Sequence, residues 1–283
     1  MTLSIAQSLT EFVHWVKAHP NVAQGSGQVN RLMLKMTPSN DLRFSVIIPA
    51  YNEEQYLPRL LDSIDLARSK YSGGPAAIEV IVADNDSNDR TAEIAAARGA
   101  RVVRVAKRRI AAARNGGGHA ARGEIVCFID GDSAVHPQTF DAIERAVASC
   151  RYIGGSTGLT LERKSFALLV TYCLAAPMVW ISGMDSGVVF CRREDFEAVG
   201  GYDETRLYAE DLLFLMALRK LGKTRGQRLT RLPKVRALGC TRKFDQFGDW
   251  HYFGMLGKAI KSLITGNWHD EELADRYWYK SGR

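Results

Sequence analysis

The chain has 283 residues, 46% of them hydrophobic and 24% charged, with a formal net charge of +7. That balance excludes a chain disordered throughout or a collagen-like fibre, and the length suits one large domain or two small ones. The five cysteines (Cys127, Cys150, Cys173, Cys191, Cys240) are scattered with no CxxC pair, which argues against a disulfide scaffold or structural zinc and for a reducing compartment.

Residues 1–40 read as an N-terminal extension, with a short amphipathic helix over Ser8–Lys17 and a linker at Gly25–Gly27. The first residues lack the basic and apolar regions of a signal peptide. Phe44–Ile48 is a short apolar run stopped by Pro49, the pattern of a buried parallel strand. Gln55–Ser69 carries leucines at helical spacing. Ile78–Ala83 predicts a second strand, and the short polar run Asp84–Asp89 after it can cap a helix over Arg90–Ala97 that Gly99 ends. Arg101–Val105 predicts a third strand, Ala111–Arg122 a helix of small residues, and Glu124–Ile129 a fourth strand. His136-Pro137 opens another helix. This order predicts a parallel sheet with helices on both faces, and such sheets take ligands beyond the carboxyl ends of their strands. After Cys150 the rhythm loosens. A strand near Ile153, the apolar segment Ser165–Ser182, a strand at Ser186–Cys191, and helices at Arg193–Val199 and Glu210–Leu221 follow.

Charge is segregated. Ile94–Gly123 holds eight bases and no acid, and Leu212–Phe244 holds ten bases and no acid, leaving 20 bases against 31 acids elsewhere. Such stretches are either solvated faces or surfaces for an anionic partner: nucleic acid, phospholipid or a phosphorylated small molecule. Nothing with aromatic interleaving or a helix-turn-helix pattern supports nucleic acid.

Chemistry is concentrated in carboxylates. Asp130-Gly131-Asp132 places two acids on one side of an extended chain, and Gly131 leaves room for a ligand to approach. Two hard oxygen donors there suit Mg²⁺ or Mn²⁺ carrying a diphosphate. With 17 aspartates in the chain, about one such pair arises by chance; position at the end of an apolar strand distinguishes this one. Asp84 ends the second strand, where it can accept from a ribose or base, or cap the next helix. Glu210 and Asp211 precede an apolar helix, so the helix dipole explains one of them and general-base chemistry the other. Gly116–Gly118 argue for close packing or close approach to a ligand, and fit neither a P-loop nor a dinucleotide fingerprint. His119 reads as structural.

These residues also carry a resemblance. Val46-Ile-Ile-Pro-Ala-Tyr-Asn-Glu53, Ala83-Asp-Asn-Asp-Ser-Asn-Asp-Arg-Thr91, Ala113-Arg-Asn-Gly116, Ala121-Arg-Gly-Glu-Ile-Val-Cys-Phe-Ile-Asp-Gly-Asp132, Ser186-Gly-Val-Val-Phe190, Phe196-Glu-Ala-Val-Gly-Gly-Tyr-Asp203 and Glu210-Asp211 resemble, in order, the motifs of family 2 glycosyltransferases. The resemblance implies the α/β GT-A fold, a Rossmann-like mixed sheet with helices on both faces, as a single domain with N- and C-terminal extensions. It divides the chain into an extension (1–40), a nucleotide-sugar and metal-binding half (41–150), an acceptor-binding and catalytic half (151–245) and a helical tail (246–283). It implies sugar transfer from a nucleotide diphosphate donor, most commonly a UDP-sugar, to an acceptor hydroxyl, with Mn²⁺ or Mg²⁺ and inversion. A retaining transferase acting on a small phosphorylated acceptor, or an inactive sugar-nucleotide binding module, are the alternatives.

Carried onto this sequence, the resemblance places Pro49, Ala50, Tyr51 and Glu53 around the nucleobase and Asp84 on base or ribose. Arg114 and Gly131 fall near the donor, Asp130 on ribose or metal, and Asp132 on the metal. Asp211 becomes the catalytic base with Glu210 beside the acceptor, and Arg242 and Lys243 face acceptor or diphosphate. Three departures stand out. Asp86 replaces a frequent glycine, which disfavours the usual tight turn. Leu213 stands where an acid often follows the Glu-Asp pair. No Gln-x-x-Arg-Trp element is present, which argues against processive polymerisation.

Two segments bear on partners. Ser165–Ser182 approaches the roughly 20 residues that span a bilayer, and reads first as a core helix, second as a helix at a membrane surface and third as a span. Asp249–Gly266 sets large apolar side chains beside Lys258 and Lys261, as an interfacial helix requires; a core or homodimer contact is the bland alternative. A lipid-linked acceptor and a cytoplasmic site at the inner face of the membrane would suit the interfacial reading.

Overall fold

A computed structural model describes residues 42–250, apart from 164, 169, 171–172, 174–184, 186 and 207–209. The N-terminal extension, most of Ser165–Ser182 and nearly all of Asp249–Gly266 therefore lie outside the described residues. The chain divides into two compact units, Met1–Asp41 and Leu42–Arg283, and the described residues belong to the second.

Seven strands form one sheet: β1 (Phe44–Ala50), β2 (Ile78–Asp84), β3 (Arg101–Arg104), β4 (Ile125–Phe128), β5 (Tyr152–Leu161), β6 (Val189–Arg192) and β7 (Arg228–Gly239). Their order is β3-β2-β1-β4-β6-β5-β7. β3, β2, β1 and β4 run parallel, as the βα rhythm predicts. β6 is antiparallel to both its neighbours, and β7 pairs parallel with β5, so the sheet is mixed.

Helices cover both faces. Phe44, Val46 and Ile48 point into one core with Leu57, Leu60, Leu61 and Ile64 of α1 (Leu57–Lys70) and Phe140 and Ile143 of α4 (Thr139–Ala148). Ile47 points into the other core, with Ala111 of α3 (Ile110–Ala120), Phe196 of α5 (Arg193–Ala198) and Phe214 and Leu218 of α6 (Glu210–Thr224). Burial on both faces is why β1 reads as an unbroken apolar run. The small α2 (Thr91–Ala97) joins β2 to β3.

The glycines of α3 serve packing. A methyl group on Gly117 would collide with Ile47, and one on Gly118 would lie 2.5 Å from the Phe196 ring. This helix lies closer to the sheet than any side chain permits, which settles the choice between packing and ligand approach. His119 is exposed and meets Phe196 edge-on with ring centroids 5.4 Å apart.

Two features differ from the sequence reading. β7 runs through the second basic stretch, where the residue pattern predicts no strand. It is an edge strand, and its pairing slips between Leu232 and Arg236; that bulge accommodates Pro233, which cannot donate to a ladder. The second is Asp86. It adopts φ +67°, the left-handed conformation that glycine supplies and aspartate tolerates. Asp86 thus takes a glycine-like backbone conformation without the glycine.

β1 connects to β2 on one side and β4 pairs on its other side, so the strand order reverses between β1 and β4. Crevices open at such points beyond the carboxyl ends of the strands, and the conspicuous acids of the sequence gather there.

Candidate active site

Asp130 and Asp132 follow β4, Glu53 follows β1, and Glu210 and Asp211 open α6. Arg114, in the middle of α3, ties three of these acids together. Its side chain is 3% exposed. Nη2 donates to Asp130 Oδ1 at 2.8 Å, and Nη1 lies 2.6 Å from Glu210 Oε1 and 2.9 Å from Asp211 Oδ1. The guanidinium also sits 5.2 Å from the centre of the Tyr202 ring. Burial opposes the Arg114 charge, but Asp211, Asp130 and Glu210 outweigh it and hold its pKa well above the ordinary value.

One cation among three carboxylates leaves the cluster short of positive charge. Burial pushes the Asp211 carboxyl up to about 7, with Glu210 and Asp130 adding to the rise and Arg114 opposing it. The Asp211 side chain keeps 30% of its surface. Its Oδ1 is enclosed, and the Tyr202 hydroxyl acts on it to lower its pKa. A partly enclosed acid with a pKa near neutrality is suited to accept a proton at working pH.

The neighbouring residue completes the scaffold. Asn115 accepts from the Tyr202 backbone N–H at 2.7 Å, and its amide donates to the Tyr202 carbonyl and to Glu204 Oε1, each at 2.9 Å. Gly201, at φ +72°, allows this approach, since a methyl group there would lie 2.5 Å from Asn115 Oδ1. Tyr202 stacks on Phe214 of α6, ring centres 4.3 Å apart. The Arg-Asn pair thus fixes both ends of the segment between α5 and α6: Asn115 holds Gly201–Glu204 and Arg114 holds Glu210-Asp211. Sequence reasoning misses Asn115 and Tyr202 as site residues; the signal available is a buried amide in a helix otherwise made largely of Ala and Gly.

A second cation faces the other acids. Arg242 opens α7 (Arg242–Phe247), directly after β7. Its Nη1 and Nη2 lie 3.3 and 3.2 Å from the two Glu53 oxygens, and Nη2 lies 3.2 Å from Asp132 Oδ2. It stacks over the Tyr56 ring at 4.5 Å. Burial works against its charge, and Glu53 and Asp132 more than compensate, raising its pKa.

The remaining predicted residues fall at the same edge with different exposures. Pro49 and Ala50 are buried within β1, and Ala50 belongs to the core. Glu53 is 3% exposed and turned to Arg242. Tyr51 is partly exposed, under the Arg108 guanidinium at 4.2 Å. Asp84 accepts from the Ser87 N–H at 3.2 Å, the turn-capping role. Asn85 holds the β3–α3 loop through the carbonyls of Val105 and Lys107 at 3.0 and 2.7 Å. Gly131 packs closely on Glu53: a methyl group there would lie 3.2 Å from Glu53 Cγ.

Asp130 and Asp132 fit a divalent cation of the Mg²⁺ or Mn²⁺ kind. Both are hard oxygen donors at the crevice, and the Asp130 side chain is 52% exposed. Among the described residues no group of three or more His, Cys, Asp or Glu side chains forms a complete cage. A cation held by one or two carboxylates, with phosphate oxygens and water completing its shell, needs none.

Residues 45–160 match the family model described as Glycosyl transferase family 2. Over 121 residues, 38% of this chain and 36% of the relative, the sequence is 38% identical to a dolichyl-phosphate beta-glucosyltransferase of Drosophila melanogaster. Among solved structures it resembles S. aureus TarS 1–349 in complex with UDP-GlcNAc, with a TM-score of 0.53 and 22% identity over 69% of this chain and 58% of that one. It also resembles the mannosyltransferase PcManGT from Pyrobaculum calidifontis in complex with GDP-Man and Mn²⁺, with a TM-score of 0.53 and 21% identity over 80% of this chain and 66% of that one. At those identities the structural likeness speaks to the fold, which is GT-A. The matched region spans 14% to 36% of the length of curated relatives such as these. The motif order, the sheet and the family match agree on a family 2 glycosyltransferase domain over residues 45–160.

Proposed function

We propose that the protein transfers a sugar from a nucleotide diphosphate donor, in the first instance a UDP-sugar, to an acceptor hydroxyl, with inversion, one sugar at a time, and with Mn²⁺ or Mg²⁺. The observation that carries this reading is the meeting of Asp130 with Glu210 and Asp211 on buried Arg114, next to Asp132 at the mouth of the β1–β4 crevice. The nucleotide-sugar complexes of TarS and PcManGT support the donor class.

In this reading Asp211 takes the acceptor proton as the new C–O bond forms, an effect typically worth ~10²–10⁴-fold, and Glu210 lies beside the acceptor. Asp132 and Asp130 would hold the cation, which when bound offsets charge on the departing diphosphate. Arg242 and Lys243 serve the diphosphate or acceptor, Tyr51 and Asp84 the nucleoside. The name of the Drosophila relative supports a lipid-linked acceptor.

The test is nucleoside diphosphate release from a panel of UDP-, GDP- and TDP-sugars, with Mn²⁺, Mg²⁺ or EDTA. One donor class turned over only with metal is expected. Release from none of them, by protein shown to be folded, contradicts the reading.

A further inference from the structure

We propose that Arg242 is a built-in stand-in for the divalent cation. In the free protein its guanidinium holds the Asp132 carboxylate, and a metal ion binding there must displace it. This rests on the reading of Asp132 as a metal ligand and adds a competitor to it.

Three observations lead here. First, Arg242 Nη2 is 3.2 Å from Asp132 Oδ2, so the carboxylate assigned to the metal already has a cation. Second, the two site arginines are held differently. Arg114 is enclosed by three carboxylates at 2.6–2.9 Å. Arg242 keeps 21% of its side-chain surface and sits at 3.2–3.3 Å from its partners, longer than the ~2.7–2.9 Å of strong charge-assisted bonds. Arg242 is the cation that can leave. Third, it has somewhere to stay when it does. Glu53, with a side chain only 4% exposed, faces both its Nη atoms, and the Tyr56 ring lies beneath it.

A dication on Asp132 repels the guanidinium, which Glu53 and the Tyr56 ring still hold. Because Arg242 is the first residue of α7, metal occupancy and the seating of that helix are coupled.

The experiment measures Mn²⁺ binding to the full chain without donor, from the electron paramagnetic resonance signal of free Mn²⁺. Four variants are compared with wild type. Arg242→Gln removes the competitor and is expected to tighten Mn²⁺ binding about tenfold, the loss of one charge-assisted hydrogen bond. Arg242→Lys keeps a cation and is expected to stay near wild type. Arg59→Gln is the charge control: Arg59, in α1 and ion-paired with Glu162, donates through Nη2 to the Asp132 backbone carbonyl at 2.8 Å and not to its carboxylate, so it removes equal charge beside Asp132 and is expected to change affinity little. Asp132→Ala should abolish binding. The proposal is overturned if Arg242→Gln, melting like wild type, binds Mn²⁺ no more tightly, or if Arg59→Gln tightens it equally. If Asp132→Ala binds as wild type does, the metal assignment itself fails.

Discussion

Arg114 decides the electrostatics of the site. Three carboxylates share its charge, and burial, which Arg114 only partly offsets, raises the folded-state pKa of Asp211 to about 7. For an acid a raised folded pKa means that the protonated form is favoured. The stability it contributes is fully present below the ordinary aspartate value and is lost as pH rises toward about 7. Catalytic competence runs the other way, since only the ionised form accepts a proton. The pH profile of kcat/KM should therefore rise through a limb near 7, while thermal stability declines from about pH 4 up to about 7; a profile flat from pH 5 to 8 would rule out Asp211 as the titrating base. Removing Arg114 strands its partners. Arg114→Met should cost on the order of 3–5 kcal/mol in denaturant unfolding, the usual penalty for breaking a buried ion pair from one side; a loss under about 1 kcal/mol would show the cluster to be hydrated instead.

Among the elements, α3 is the organiser. It packs on β1 through Gly117 and sends Arg114 to α6 and Asn115 to the segment before it. Asn115→Ala leaves the Tyr202 N–H and carbonyl without their partner. It should cost ~1–3 kcal/mol and reduce turnover through Glu210 and Asp211, with stability and kcat measured on the same preparation. Intact turnover in a destabilised variant would confine Asn115 to folding. Much of this layer is legible in the sequence. β1 to β4 and the helices between them follow from apolar runs of strand length and leucine spacing, because their cores are continuous. β7 is not, since Arg228, Arg231, Pro233, Lys234 and Arg236 break any apolar alternation, and an edge strand with one bulge tolerates them. Nor is the carboxylate cluster. Arg114 and Glu210 are separated by 96 positions, and no local pattern joins them. The acids stand out as strand-end and helix-start residues, their shared guanidinium only in three dimensions. The two basic stretches also resolve partly into internal pairs: Arg101 with Glu79, Lys107 with Glu204, Arg225 with Asp195 and Arg231 with Asp185.

For the whole molecule, the two halves of the sheet have different tasks. The parallel half brings the candidate donor and metal residues to the β1–β4 crevice, and the half from β5 onward brings Asp211 and Arg242 to meet them. Among the described residues no helix is long and apolar enough to cross a membrane. The apolar and basic character of residues 249–266 leads to a further expectation, peripheral attachment at the cytoplasmic face of a membrane. The full chain should float with anionic vesicles in a salt-sensitive way and lose that on truncation of residues 246–283; absence of binding by the monodisperse chain would favour a soluble acceptor or a homodimer contact. The decisive experiment for Asp211 as the base of a sugar transfer determines donor affinity and turnover together in Asp211→Asn. Turnover at saturating donor should fall by ~10²–10⁴-fold with donor affinity nearly unchanged. Weakened donor binding with turnover preserved at saturation would contradict the assignment, and would make Asp211 a helix-capping or binding residue.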